Sequence, residues 1–162
     1  MNTTIISHIQ FALYDMAFLD IKRASFGKSK MGAFILSSCF IDYMAGFIAG
    51  RETTNKDYKQ FVKDYLPPFY DPEKLYKDLR CKLVHNYSEG GSYVFVDAKS
   101  ELHGKKINGK LVINLENFID DLESALRKML IDLDTDSVKQ RMAVNRYDKI
   151  GLLGVVQIKV EP

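Results

Sequence analysis

Apolar positions recur along this chain mostly at steps of three and four, and the steps fall into separate blocks. Ile5, Ile6, Ile9, Ala12, Leu13 and Met16 follow Thr3-Thr4 and predict a first amphipathic helix over about residues 4–24, with a basic, glycine-containing loop over 22–30. From Met31 to Ala49 the chain is apolar almost all round, which predicts a central helix covered by its neighbours. Thr53-Thr54-Asn55 then offers a cap for a short third helix striped by Tyr58, Phe61, Val62, Tyr65 and Leu66, and Pro67-Pro68 ends it. A fourth helix starts with Asp71 as N-cap, Pro72 at the first helical position and Glu73 at the positive end of the dipole. Gly90-Gly91 supplies its stop signal.

After that glycine pair the period changes. Tyr93-Val94-Phe95-Val96 and Lys110-Leu111-Val112-Ile113 are β-rich, and Asn108-Gly109 is a tight-turn dipeptide, so a small β-hairpin insertion is expected between the fourth and fifth helices. Asn114 can cap a long fifth helix whose Leu115, Phe118, Ile119, Leu122, Leu126, Met129 and Leu130 share one face. Asp134-Thr135-Asp136 breaks the chain before a short polar helix, Ser137 to Tyr147. The tail from Val155 to Val160 alternates like a half-buried strand that can pair with the β insertion. The expectation is a single, mainly α domain, 1–162: a bundle of about five or six helices with its core over 4–133, then a helix and strand-like tail over 134–162.

Length and composition agree with one soluble globule. The chain has 162 residues, 46% hydrophobic and 27% charged, and its formal charge of +2 is too small to announce a nucleic-acid binder by field alone. Binding to RNA would have to be local, and Lys22-Arg23-Lys28-Lys30, Lys105-Lys106-Lys110 and Lys139-Arg141-Arg146 are basic clusters that can track phosphates or simply face water. Cys39 and Cys81 lie in helical patterns and no secretory signal opens the chain, so a cytoplasmic location is expected. The His and Cys spacings match no zinc site, and neither metal nor cofactor is expected. The block from Met31 to Ala49 is nearly long enough to span a bilayer, but Asp42 near its middle would cost about 3 kcal/mol there, so no membrane span is expected.

Candidate chemistry concentrates in Leu79-Arg80-Cys81-Lys82-Leu83-Val84-His85-Asn86-Tyr87. Imidazole moves protons near neutral pH, and guanidinium can hold a phosphate oxygen with two parallel donors. Lys82, Asn86 and Tyr87 are candidate substrate contacts by proximity. At 100° per residue, Leu75, Tyr76, Leu79, Leu83 and Tyr87 form an apolar arc with Arg80 at its border, while His85 lies about 140° from Arg80. A straight α-helix therefore does not aim both side chains at one substrate atom, and a second copy across a twofold axis would gather them. Asp42 is the other singled-out residue. If buried it needs a partner, for which Arg80 is the natural choice; otherwise it lies on a narrow exposed strip beside Ser38.

An arginine followed four to six residues later by a histidine near a helix end, in a small helical domain, resembles the HEPN superfamily (higher eukaryotes and prokaryotes nucleotide-binding). The resemblance implies a homodimer with paired motifs in a composite cleft. It also implies a metal-independent endoribonuclease of toxin or defence type, acting on single-stranded RNA by 2′-hydroxyl transesterification, with Arg80 and His85 catalytic; Asp42, as a partner of Arg80, would be a supporting residue on the burial argument above. An antitoxin or other protein partner fits that role. The chain departs from the pattern at Cys81, where the family commonly has Asn or Asp. A catalytically silent HEPN-like domain binding RNA, a nucleotide or a protein is the alternative, and an unrelated helical dimer without a site is a third.

Overall fold

The apolar block around residue 40 becomes the centre of the molecule. The computed structural model of the chain describes residues 3–88 and 91–152, and in it helix α2 (Lys30–Ala49) is packed against every other helical layer. Phe34, Phe40, Ile41, Met44, Ala45 and Phe47 are all buried, distributed around the helix rather than along one stripe. It is also the one helix among the described residues long and apolar enough to cross a membrane. Here its apolar surface is spent on the protein's own core, where burial of each large side chain contributes about 1.5–3 kcal/mol.

The surrounding helices follow the stripes. The first, α1 (residues 3–26), is α-helical over Thr3–Phe11 and Leu19–Phe26 and π-helical over Ala12–Phe18, and it runs into the expected basic loop as far as Phe26. Helix α3 (Asn55–Tyr65) begins with a complete capping box: the Thr54 hydroxyl accepts from the Asp57 N–H, and the Asp57 carboxylate accepts from the Thr54 N–H. Helix α4 covers residues 72–86, α5 is Leu115–Thr135 and α6 is Ser137–Ile150. The Asn114 side chain accepts from the Asn117 N–H at 3.1 Å to start α5. Asp136 accepts from the N–H groups of Val138 and Lys139 to start α6, which runs a turn longer than Ser137 to Tyr147.

Between α4 and α5 lies a three-stranded sheet in the order β1-β3-β2, with β1 Tyr93–Val96, β2 Lys106–Ile107 and β3 Lys110–Asn114. Asn108 and Gly109 take φ of 50° and 77°, the two positive values a tight hairpin turn needs, and join β2 to β3 in antiparallel register. The expected hairpin is therefore present but short. The first β-rich run pairs with β3 in parallel, Tyr93 opposite Leu111 and Phe95 opposite Ile113, which alternation alone does not reveal. The strand expected from Val155 to Val160 lies outside the described residues.

Two close approaches shape the end of α2. Gly50 caps it at φ 71°, and a Cβ there would meet Met142 of α6 at 2.9 Å. Gly46 gives room to Arg146, whose Nε lies 2.6 Å from where a Cβ would stand. Arg146, grouped by sequence with Lys139 and Arg141 as a surface cluster, is in fact buried, its guanidinium 4.3 Å from the Phe47 ring and 5.0 Å from that of Tyr43. Burial holds its pKa below the usual arginine value.

Candidate functional site

Helix α4 starts as its sequence dictates. The Asp71 carboxylate accepts from the N–H groups of Glu73 at 3.0 Å and Lys74 at 3.2 Å, with Pro72 at the first position. From Leu75 to Leu83 the helix then widens to π-helical winding, and Leu75, Asp78, Leu79 and Leu83 face the core. It closes on Tyr87 at φ 54°, before the glycines that were expected to end it. A tyrosine in that left-handed conformation is unfavourable by about 1 kcal/mol, and such local strain is more frequent at sites with a task.

The wide turn changes where the motif points. In i→i+5 winding, residues five apart come round to the same side, which the 100° rule cannot produce. The Arg80 guanidinium accordingly meets His85 within one chain, Nη1 to Nε2 at 3.2 Å. The geometric reason for requiring a second copy falls away, because one helix already brings the two side chains together. As drawn, the arginine donates and Nε2 accepts, which leaves the imidazole proton on Nδ1.

Arg80 is held from the other side by α2. Its Nε donates to the Asp42 Oδ2 at 2.7 Å, and this carboxylate raises the pKa of the guanidinium, the first of the effects upon it. Asp42 is thus paired as expected, while Ser38, its supposed neighbour on an exposed strip, is buried. Both side chains stay partly open, 22% for Asp42 and 32% for Arg80, so the pair is screened and contributes about 1 kcal/mol or less rather than the several of a sealed one. The Thr53 hydroxyl donates to the Asp42 carbonyl at 2.5 Å and ties this turn of α2 to the start of α3. The Tyr76 ring lies 5.8 Å from the Arg80 guanidinium carbon and completes its setting.

The remaining predicted residues divide. His85, Asn86 and Tyr87 are exposed at the end of α4, beside Arg80. Lys82 turns back along the helix to the buried Asp78 at 3.2 Å, so it serves the scaffold first. Asp78 also accepts from the Ser92 N–H at 3.2 Å, anchoring the sheet to the motif helix. Cys81 is half-buried. The Cys39 thiol pKa is raised, by partial burial of the group first and by Asp42 second. Among the described residues no group of three or more His, Cys, Asp or Glu could hold a metal ion.

A second titratable cluster was not singled out from the sequence. The Tyr70 hydroxyl donates to Asp121 at 2.8 Å, and His103 Nε2 lies 3.0 Å from the same carboxylate. His103 Nδ1 accepts from the Asn114 N–H at 3.0 Å, so its proton sits on Nε2, facing Asp121. Burial, then Asp121, pushes the Tyr70 hydroxyl well above the usual tyrosine range. The residues stand far apart in sequence, and nothing in their spacing signals that they meet. When compared with family models, curated proteins and solved structures, the chain matches none.

Proposed function

We propose that the chain is a metal-independent endoribonuclease acting on single-stranded RNA, with Arg80 and His85 as its catalytic residues. The observation that carries this reading is the exposed contact of a proton-transfer group with a phosphate-binding group, His85 Nε2 at 3.2 Å from Arg80 Nη1. Nothing else on the surface of α4 combines those chemistries. In the reaction, substrate displaces the arginine from the imidazole, and His85 Nε2 takes the proton of a ribose 2′-hydroxyl. The 2′-oxygen bonds to the adjacent phosphorus, the bond from phosphorus to the 5′-oxygen breaks, and that oxygen takes a proton from an acid in the cleft or from water. Arg80, oriented by Asp42 and Tyr76, neutralises the charge that builds on the non-bridging oxygens.

The resemblance to HEPN domains adds a homodimer that pairs two such ends, a role in defence or as a toxin, and a neutralising protein partner. A second histidine across the dimer would supply the acid for the leaving oxygen. The silent-domain reading has one observation of its own: Asp42 already occupies the Nε edge of Arg80, as a bound phosphate would. The experiment that separates them is end-group analysis of RNA incubated with the protein in EDTA. The nuclease reading expects 2′,3′-cyclic phosphate ends and no cut at a position carrying 2′-deoxyribose. Binding without cleavage would leave the silent domain, and a cut at the deoxy position would remove the 2′-hydroxyl mechanism.

A further inference from the structure

From Arg80 a line of cations leads away from the motif into a groove that the motif does not use. The Tyr76 ring that lies beside Arg80 also receives the Lys59 ammonium, 5.4 Å from its centroid. Lys59 is a half-buried residue of α3, and with the exposed Lys56 and Lys63 it lines a groove of about 310 Å³ completed by Asn55, Gln60 and Pro72. Lys59 is ion-paired to Glu73, whereas Lys56 and Lys63 have no ion-pair partner among the described residues. The acids nearby are turned to other tasks: Asp57 to Arg51 and the capping box, Asp64 to the Gln60 amide at 2.8 Å.

The lining itself selects an occupant. Protein partners bury aromatic or aliphatic anchors at the centre of an interface, and this groove has only Pro72 to offer. Ammonium groups and side-chain amides suit phosphates and ribose hydroxyls instead. Lys56 and Lys63 are seven residues apart, about 10 Å along the helix axis, which covers successive phosphates of an extended strand. We infer that the groove of Lys56, Lys59 and Lys63 carries the sugar–phosphate backbone of single-stranded RNA on one side of the linkage that lies at Arg80 and His85. The inference rests on the ribonuclease reading for where the strand goes, but binding tests it without cleavage.

The test is fluorescence anisotropy of the full chain with a short 2′-O-methyl oligouridine, which lacks the attacking hydroxyl, over a series of salt concentrations. At about 0.7 per phosphate contact for single strands, Lys56→Gln/Lys63→Gln should lower the slope of log K against log salt by about 1.4 and weaken binding roughly tenfold at moderate salt. Lys105→Gln/Lys106→Gln, at the start of β2 and outside the groove's lining, should change neither. The groove assignment is overturned if the Lys56/Lys63 variant keeps the parent's slope and affinity, if the parent does not bind the oligonucleotide, or if polyglutamate binds and the oligonucleotide does not. Cleavage of unmodified RNA is read separately. A parent that binds with the lysine-dependent slope but never cuts defeats the nuclease reading and leaves the groove standing. A parent that cuts while binding ignores the lysines defeats the groove alone.

Discussion

Two histidines in this molecule sit beside charged partners, and they are placed for opposite purposes. His103 is closed in: one ring nitrogen accepts from the Asn114 backbone, the other faces Asp121, and Tyr70 seals the cluster. His85 is open, with an exposed ring and, among the described residues, one hydrogen bond, to a cation that a substrate phosphate can draw away. Residue type is therefore a poor guide to role here. On the proposed reading, what separates a joint from a reaction centre is how many of the ring's hydrogen bonds the fold has already committed, and whether solvent reaches the remainder.

The contrast can be broken first at the open end. Arg80→Ala should cut the RNA cleavage rate by about 100-fold, since charge stabilisation of this kind is worth on the order of 3 kcal/mol, while the melting temperature hardly moves because the Asp42 pair is screened. Arg80→Lys should recover little of it, for a single ammonium cannot reach Asp42 and His85 together in the same fork. A variant that melts far below the parent would show Arg80 to be a structural residue like His103.

The closed cluster should behave in reverse. Asp121→Ala leaves Tyr70 and His103 without their shared acceptor and should destabilise the fold by about 2–3 kcal/mol, read from denaturant midpoints, with cleavage by the folded fraction unchanged. Loss of rate without loss of stability would make this cluster a second reaction centre.

A smaller, pH-dependent effect belongs to a third set of groups. Burial, then its bond to Asp132, pushes the Tyr65 hydroxyl up to about 12. Because the folded pKa is raised above the unfolded value near ~10, this stabilisation is present below ~10 and is lost as pH rises toward about 12. Stability should fall across that window by an amount on the order of 1–2 kcal/mol, shared with Lys139, and Tyr65→Phe should flatten it. An alkaline limb identical in the variant would assign the loss to other groups.

Most of the helical frame was legible because stripes and caps are local. The Thr54 and Asn114 caps and the Asp71-Pro72 start all do what their residue types dictate. The site was legible in its members but not in its geometry. Reading α4 at 100° per residue puts Arg80 and His85 on different sides, and π-helical winding, which depends on how Leu75, Asp78, Leu79 and Leu83 pack, brings them together. Arg146 was misread for a related reason: its neighbours in sequence are surface cations, but Gly46 opens a place for it among the rings of α2. Parallel pairing of β1 with β3 and the meeting of Tyr70, His103 and Asp121 are likewise products of the tertiary fold, which no short-range pattern encodes.

On the proposed reading the open histidine does chemistry and the closed one does not. That contrast is tested most directly by measuring the cleavage rate of single-stranded RNA in EDTA for His85→Gln and His103→Gln side by side, each corrected for its folded fraction. His85→Gln should melt with the parent and lose about 100-fold in rate, whereas His103→Gln should melt lower and keep its rate. Equal rates in the two variants, or loss confined to His103→Gln, would contradict it.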